Sequence, residues 1–78
     1  MALGRRSEPG MLLLADLRSL YLHAAAVSVD WVVLAQGARA ARDSELLELV
    51  EHCHPATLRQ LNWTETMLKE LAPQVLLS

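Results

Sequence analysis

The chain has 78 residues, 53% of them hydrophobic, and a formal net charge of −2. This length allows one domain, and the charge excludes a general electrostatic attraction to nucleic acid. The single cysteine, Cys53, excludes a disulfide bond within the chain and favours a reducing compartment. We therefore expect a single-domain protein of the cytoplasm that does not bind nucleic acid.

Glycine, proline and charged residues are concentrated in residues 1–10, where we predict a flexible leader. The predicted domain then spans residues 11–78. An apolar run opens the domain, but Asp16 ends it after five residues, whereas a signal sequence needs about 7–15 uninterrupted apolar residues. Asp16, Arg18, His23 and Asp30 also divide the segment that would have to supply the about 20 apolar residues of a membrane span. We predict no membrane contact.

A heptad pattern indicates the first helix, which we predict over residues 11–40. Apolar residues recur at alternating spacings of four and three residues, which is typical of one helical face that packs on another helix. The predicted contact line comprises Leu13, Leu17, Leu20, Ala24, Val27, Trp31, Leu34 and Ala38. Gly37 weakens the end of this helix, and Asp43 or Ser44 is a good N-cap for the next one.

The second helix is predicted over residues 44–72, with a kink at Pro55. Its apolar line keeps spacings of three or four residues on both sides of the proline, which favours one bent helix. Two shorter helices that meet at Pro55 are the alternative, and Pro73 marks the expected end of the helix. The line comprises Leu46, Val50, Cys53, Thr57, Leu61, Thr64, Leu68, Leu71 and Val75.

The short connection between the two predicted helices requires them to lie antiparallel, which defines an all-α helical hairpin. Helix 1 is apolar nearly all round, and such a helix is normally buried on several sides. We therefore predict that the hairpin binds a second copy and forms a four-helix bundle with two-fold symmetry. A larger protein complex is the alternative partner. The predicted interface residues are Tyr21, Leu22, Val29, Trp31, Val32 and Val33.

Four polar residues are candidate metal ligands. Glu51 and His54 form an E-x-x-H pair, whose spacing places both side chains on neighbouring parts of a helix. In an antiparallel hairpin Asp30 lies at the level of His54, and His23 is a further candidate from a partner chain. Carboxylate and imidazole ligands suit iron, manganese or zinc.

The E-x-x-H pair, together with the carboxylate of Asp30 on the other helix, resembles half of a ferritin-like four-helix bundle. This resemblance implies a di-iron site completed by a dimer, with an oxidase or metal-storage role. The competing interpretation is structural, with a solvated Glu51 and with His54 at the edge of the helix contact, hydrogen-bonded to Asp30 or to backbone that Pro55 leaves free.

No catalytic constellation is predicted. A nucleophilic Cys53 would need a base, an orienting group and an oxyanion hole, and no glycine-rich turn supplies the last of these. The leading hypothesis is a self-associating assembly or protein-interaction module without a cofactor. The metal-binding bundle is the alternative to it.

Overall fold

The chain folds into two long antiparallel α-helices in a computed structural model that describes residues 8–77. Helix α1 runs from Glu8 to Ala41, and helix α2 runs from Ser44 to Leu77. The hairpin is 55 Å long and 19 Å by 13 Å across. Within residues 8–77 the only residues outside the helices are Arg42 and Asp43. The predicted all-α helical hairpin is confirmed.

The two residues of the turn make the hydrogen bonds that cap the end of α1 and the start of α2. Arg42 adopts a left-handed conformation with φ of 56°, and its amide donates to the carbonyl of Arg39 at 3.2 Å. The amide of Asp43 donates to the carbonyl of Ala38 at 2.9 Å, which completes a Schellman motif. Asp43 is also the N-cap of α2, because its Oδ1 accepts a 3.1 Å hydrogen bond from the amide of Leu46.

Helix α2 packs on α1 through the predicted line of residues. Val50, Thr57, Thr64 and Val75 are buried, and the other members of the line are half-buried. The helix is continuous through Pro55, so the alternative of two helices is wrong, while the bend at the proline stays a prediction. Glu51, whose carbonyl loses its amide donor to the proline, and Pro55 itself are both exposed, so this carbonyl lies on the solvent side of the helix.

The predicted end of the second helix at residue 72 is wrong, because α2 continues through Pro73 to Leu77. Val75 is buried against α1, and this contact holds the last turn in helical geometry although Pro73 cannot donate a backbone hydrogen bond. At the other terminus, α1 begins at Glu8 and so includes residues 8–10 of the predicted leader. Residues 1–7 of that leader lie outside the described residues.

Half of the residues that we predicted for the contact line of α1 are exposed and do not pack on α2. Leu17, Ala24 and Ala38 are buried and Trp31 is half-buried, as predicted, but the alternate members point away from α2. Leu13, Leu20, Val27 and Leu34 are each more than two-fifths exposed. The residue that follows each of them in the chain takes its place in the contact: Leu14, Tyr21, Ser28 and Ala35. The α1 surface that meets α2 is therefore rich in small side chains.

Two hydrogen bonds between side chains cross the contact between the helices. Trp31 Nε1 donates to Thr57 Oγ1 at 2.9 Å, and Ser28 Oγ lies 3.1 Å from His54 Nε2. Thr57 Oγ1 in turn donates to the carbonyl of Cys53 at 3.4 Å. These bonds fix the level at which the two helices meet, and they satisfy polar groups that the contact covers.

Candidate interaction surface

Most of the apolar surface that the hairpin leaves exposed to solvent lies on α1. Nine of the thirteen large hydrophobic residues that are exposed within residues 8–77 belong to this helix. They are Leu12, Leu13, Leu20, Leu22, Val27, Val29, Val32, Val33 and Leu34, with exposed fractions from 41% to 63%. The buried hydrophobic core in the same range contains only six residues, three of them alanines. Large exposed apolar surfaces are typical of interaction sites, so this surface of α1 is the candidate site.

Four of these residues form a continuous line, which we call the aliphatic stripe: Leu13, Leu20, Val27 and Leu34. They are spaced by seven residues, so they follow one face of the helix along its whole length. The stripe adjoins the contact with α2, since each member directly precedes a residue of that contact. An incoming helix that packs on the stripe therefore continues the hydrophobic core of the hairpin.

A second line, which we call the polar line, borders the stripe on the side away from α2. It comprises Asp16, His23 and Asp30, again spaced by seven residues, and all three are exposed. Within residues 8–77 none of their side chains makes a hydrogen bond or an ion pair. The line places one imidazole between two carboxylates at the edge of an apolar face, as charged residues often flank the apolar seam of a coiled coil.

Helix α2 has a different surface. Its outer face carries charged residues, including the Glu65–Lys69 ion pair at 3.3 Å, and only four of its large hydrophobic residues are exposed: Leu49, Leu58, Trp63 and Leu77. Within residues 8–77, the large exposed apolar surface is therefore a property of α1 and not of α2.

The predicted interface residues divide into two groups. Leu22, Val29, Val32 and Val33 are exposed. Tyr21 and Trp31 are half-buried instead, and the Trp31 indole is held by Thr57. These two aromatic residues therefore serve the contact inside the hairpin.

The candidate metal ligands do not converge within one hairpin. Asp30, Glu51 and His23 are exposed, and His54 is half-buried with its Nε2 occupied by Ser28. Helical geometry places Asp30 and Glu51 on opposite sides of the hairpin. Among residues 8–77 no group of three or more histidine, cysteine, aspartate or glutamate side chains lies close enough to hold a metal ion. Within residues 8–77 of a single hairpin, the four candidate ligands therefore lie apart.

The hydrogen bond between Ser28 and His54 is not predicted by the sequence, because the structural interpretation pairs His54 with Asp30 or with the backbone near Pro55. Its 3.1 Å separation is within the range of a nucleophile and its base. No carboxylate within residues 8–77 hydrogen-bonds to the other ring nitrogen of His54. A cavity of about 370 Å³ lies at the turn, where Ala38, Arg39 and Leu47 line it, and not beside this pair. The pair therefore joins the two helices, and a serine in a helix gives no signal in the sequence for such a role.

By length and composition, α1 would also be able to cross a membrane. Its most apolar 18-residue window has a mean hydropathy of 1.4, and 11% of that window is buried inside the hairpin. This property is weak evidence for a membrane location, because core helices of soluble proteins and signal sequences can have the same length and composition. The low buried share does show that α2 leaves most of this apolar surface uncovered.

Comparisons with protein families, with curated protein sequences and with solved structures give no match to this chain. The class of the protein is therefore defined by its architecture, as a two-helix hairpin with one uncovered apolar helix.

Proposed function

We propose that this protein is a self-associating helical hairpin that acts as an assembly or protein-interaction module. Two hairpins pack their α1 helices against each other and form a four-helix bundle. The observation that carries this proposal is the exposure of nine large hydrophobic residues on one helix of the described chain. Burying part of this surface removes apolar area from water, which is the dominant favourable contribution to association.

The dimensions of the hairpin also support pairing with a second copy. At 55 Å long and 19 Å across, the hairpin is large enough to present the about 800 Å² that each partner buries in a typical stable complex. The small number of buried hydrophobic residues also supports self-association, because small domains need further burial, metals or oligomerisation to be stable. The unpaired Cys53 fits the reducing environment of the cytoplasm, where we place the protein.

Sedimentation velocity across a range of protein concentrations tests the proposal. We expect a defined oligomer of two or more chains at micromolar concentration, with helical circular dichroism and a thermal midpoint that rises with concentration. A folded monomer at all these concentrations contradicts the proposal. A chain that is soluble only with vesicles or detergent assigns the same surface to lipid, and one that is soluble only when co-expressed with another protein assigns it to a heterologous complex.

The ferritin-like hypothesis stays a separate prediction. It requires two hairpins to bring Glu51 and His54 of one chain to Asp30 or His23 of the other chain. Iron, manganese or zinc would then supply redox or Lewis-acid chemistry that these side chains lack. Elemental analysis of untagged protein, expressed with all three metals present, tests it directly, and about one metal ion per chain would make it the leading interpretation.

A further inference from the structure

We infer that two hairpins pair through the aliphatic stripe in an antiparallel arrangement, with a two-fold axis beside Val27, and that His23 of each chain faces Asp30 of the partner subunit. This inference rests on the proposed self-association and specifies its geometry. The partner of the stripe is the same stripe on a second copy of the chain.

The position of the axis follows from the order of residues along α1. With a two-fold axis beside Val27, Leu20 lies level with Leu34 of the partner subunit, because each is seven residues from the axis. Val27 meets its own copy, and Leu34 meets Leu20 of the partner subunit. The three central layers of the interface are then entirely aliphatic, with side chains that are 41% to 46% exposed in the isolated hairpin.

The polar line selects this arrangement. His23 lies four residues before the axis and Asp30 lies three residues after it, so the two are level to within one residue, or about 1.5 Å along the helix. In an antiparallel pair the same heptad position of both helices lies on the same side of the interface. Two symmetric contacts between His23 and Asp30 of the partner subunit therefore flank the aliphatic layers, and the imidazole N–H donates to the carboxylate.

The other arrangements lack this complementarity. An axis midway between Leu20 and Val27 brings all four members of the stripe into contact, but it places Asp16 level with Asp30 of the partner subunit to within one residue. Like charges at such positions are destabilising. A parallel pair places the two polar lines on opposite sides of the interface, so His23 and Asp30 do not meet.

Disulfide cross-linking measures the position of the axis. In a Cys53→Ser background, a single Val27→Cys variant places the only thiol of each chain at the proposed axis, where it meets its own copy. We expect rapid formation of a covalent dimer under mild oxidation, detected by intact mass without reductant. Val29→Cys is the matched control, since Val29 is exposed to 61% and lies about 200° round the helix from Val27, and it should cross-link slowly.

Mixed variants separate this arrangement from its competitor. Leu20→Cys mixed with Leu34→Cys should give the heterologous dimer, whereas preferential cross-linking of Leu20→Cys with Val27→Cys would show the other axis and overturn the inference. In that event sedimentation would still show a dimer, and the proposed function would stand. A chain that stays monomeric in sedimentation would remove both.

Charge exchange provides an independent measurement without thiols. His23→Asp places two carboxylates together at each end of the central layers, and we expect the dimer dissociation constant to rise about fivefold or more. Combining it with Asp30→His exchanges the two groups and should restore the affinity. A double variant that is as weak as the single one, or a single variant without any effect, would show that the residues do not meet.

Discussion

Trp31 and Thr57 lie opposite each other across the contact between the helices, and the indole N–H donates a 2.9 Å hydrogen bond to the threonine hydroxyl. Thr57 is buried, with 7% exposure, and its hydroxyl donates a 3.4 Å hydrogen bond to the carbonyl of Cys53. A polar chain of three groups thus occupies the middle of a contact whose other members are mostly small or aliphatic.

Replacing Thr57 with valine keeps the volume but removes the acceptor of the indole N–H. We expect the free energy of unfolding to fall by about 1 kcal/mol, because the half-buried donor loses its partner. Urea unfolding followed by tryptophan fluorescence measures the change. Thr66→Val is the matched control, since Thr66 is exposed and makes only a local bond to Asn62, and an equal loss in both variants would contradict a specific role of the Trp31 bond.

The turn offers a stabilising substitution. Arg42 has φ of 56°, a conformation that costs a residue with a side chain roughly 1–2 kcal/mol and costs glycine far less. We expect Arg42→Gly to raise the midpoint of thermal unfolding, whereas Asp43→Ala, which removes the N-cap, should lower the stability by about 1 kcal/mol. Calorimetry of both variants at one protein concentration checks the opposite signs, and a destabilising glycine would be inconsistent with the left-handed geometry.

Gly37 is a second position where a single substitution should increase the stability of the fold. It lies inside α1, is exposed, and a methyl group added there meets nothing within 4 Å. Gly37→Ala should therefore stabilise the helix by about 1 kcal/mol. Thermal unfolding measures this gain. A loss of stability would instead indicate that a second chain approaches the helix backbone at Gly37.

A charge in the aliphatic stripe should disrupt assembly. Val27→Lys introduces an ammonium group at the centre of the proposed interface, and we expect loss of the oligomer and of the concentration dependence of thermal unfolding. Leu58→Lys is the matched control, because Leu58 on α2 is exposed to a similar degree, 43% against 41%. Equal sedimentation of both variants and the parent protein would rule out the stripe as the contact.

A double substitution on α2 tests the hypothesis that the protein binds a metal. Replacing both Glu51 and His54 with alanine removes the E-x-x-H pair, and under the proposed assembly function the oligomer should persist with unchanged metal content. Ser28→Ala is the control for the lost contact between the helices, since His54 lies 3.1 Å from Ser28. Stoichiometric metal in the parent protein that disappears only in the double variant would favour the ferritin-like bundle.

Periodicity predicts α2 more completely than α1 for a physical reason. Polar residues surround the apolar line of α2, so only one face is suitable for burial, and all nine predicted residues lie at the contact. Helix α1 is apolar on several sides, so more than one heptad line satisfies the pattern. The structure turns the line of Ser28 and Ala35 inward, where small side chains allow close packing, and leaves the larger Val27 and Leu34 outside.

The end of α2 and the candidate site show the other limits of sequence reasoning. Pro73 is a frequent helix terminator, yet the burial of Val75 outweighs it. Asp30 is close in level to His54, as predicted, but level along the axis does not determine the side of the helix on which a residue lies. The contact of Ser28 with His54, across 26 residues of sequence, depends on the rotation of both helices and has no sequence pattern.

The two-residue turn has a consequence for the order in which the hairpin folds. Contacts near the turn, such as those of the almost fully buried Ala38 and Val50, close short loops, whereas each layer further from the turn closes a longer one at a greater entropic cost. We expect folding to nucleate at Arg42 and Asp43. Helix contacts then form one layer after another, toward the end of the hairpin where α1 begins and α2 ends. Amide hydrogen exchange should then be slowest beside the turn and fastest near Leu14 and Val75.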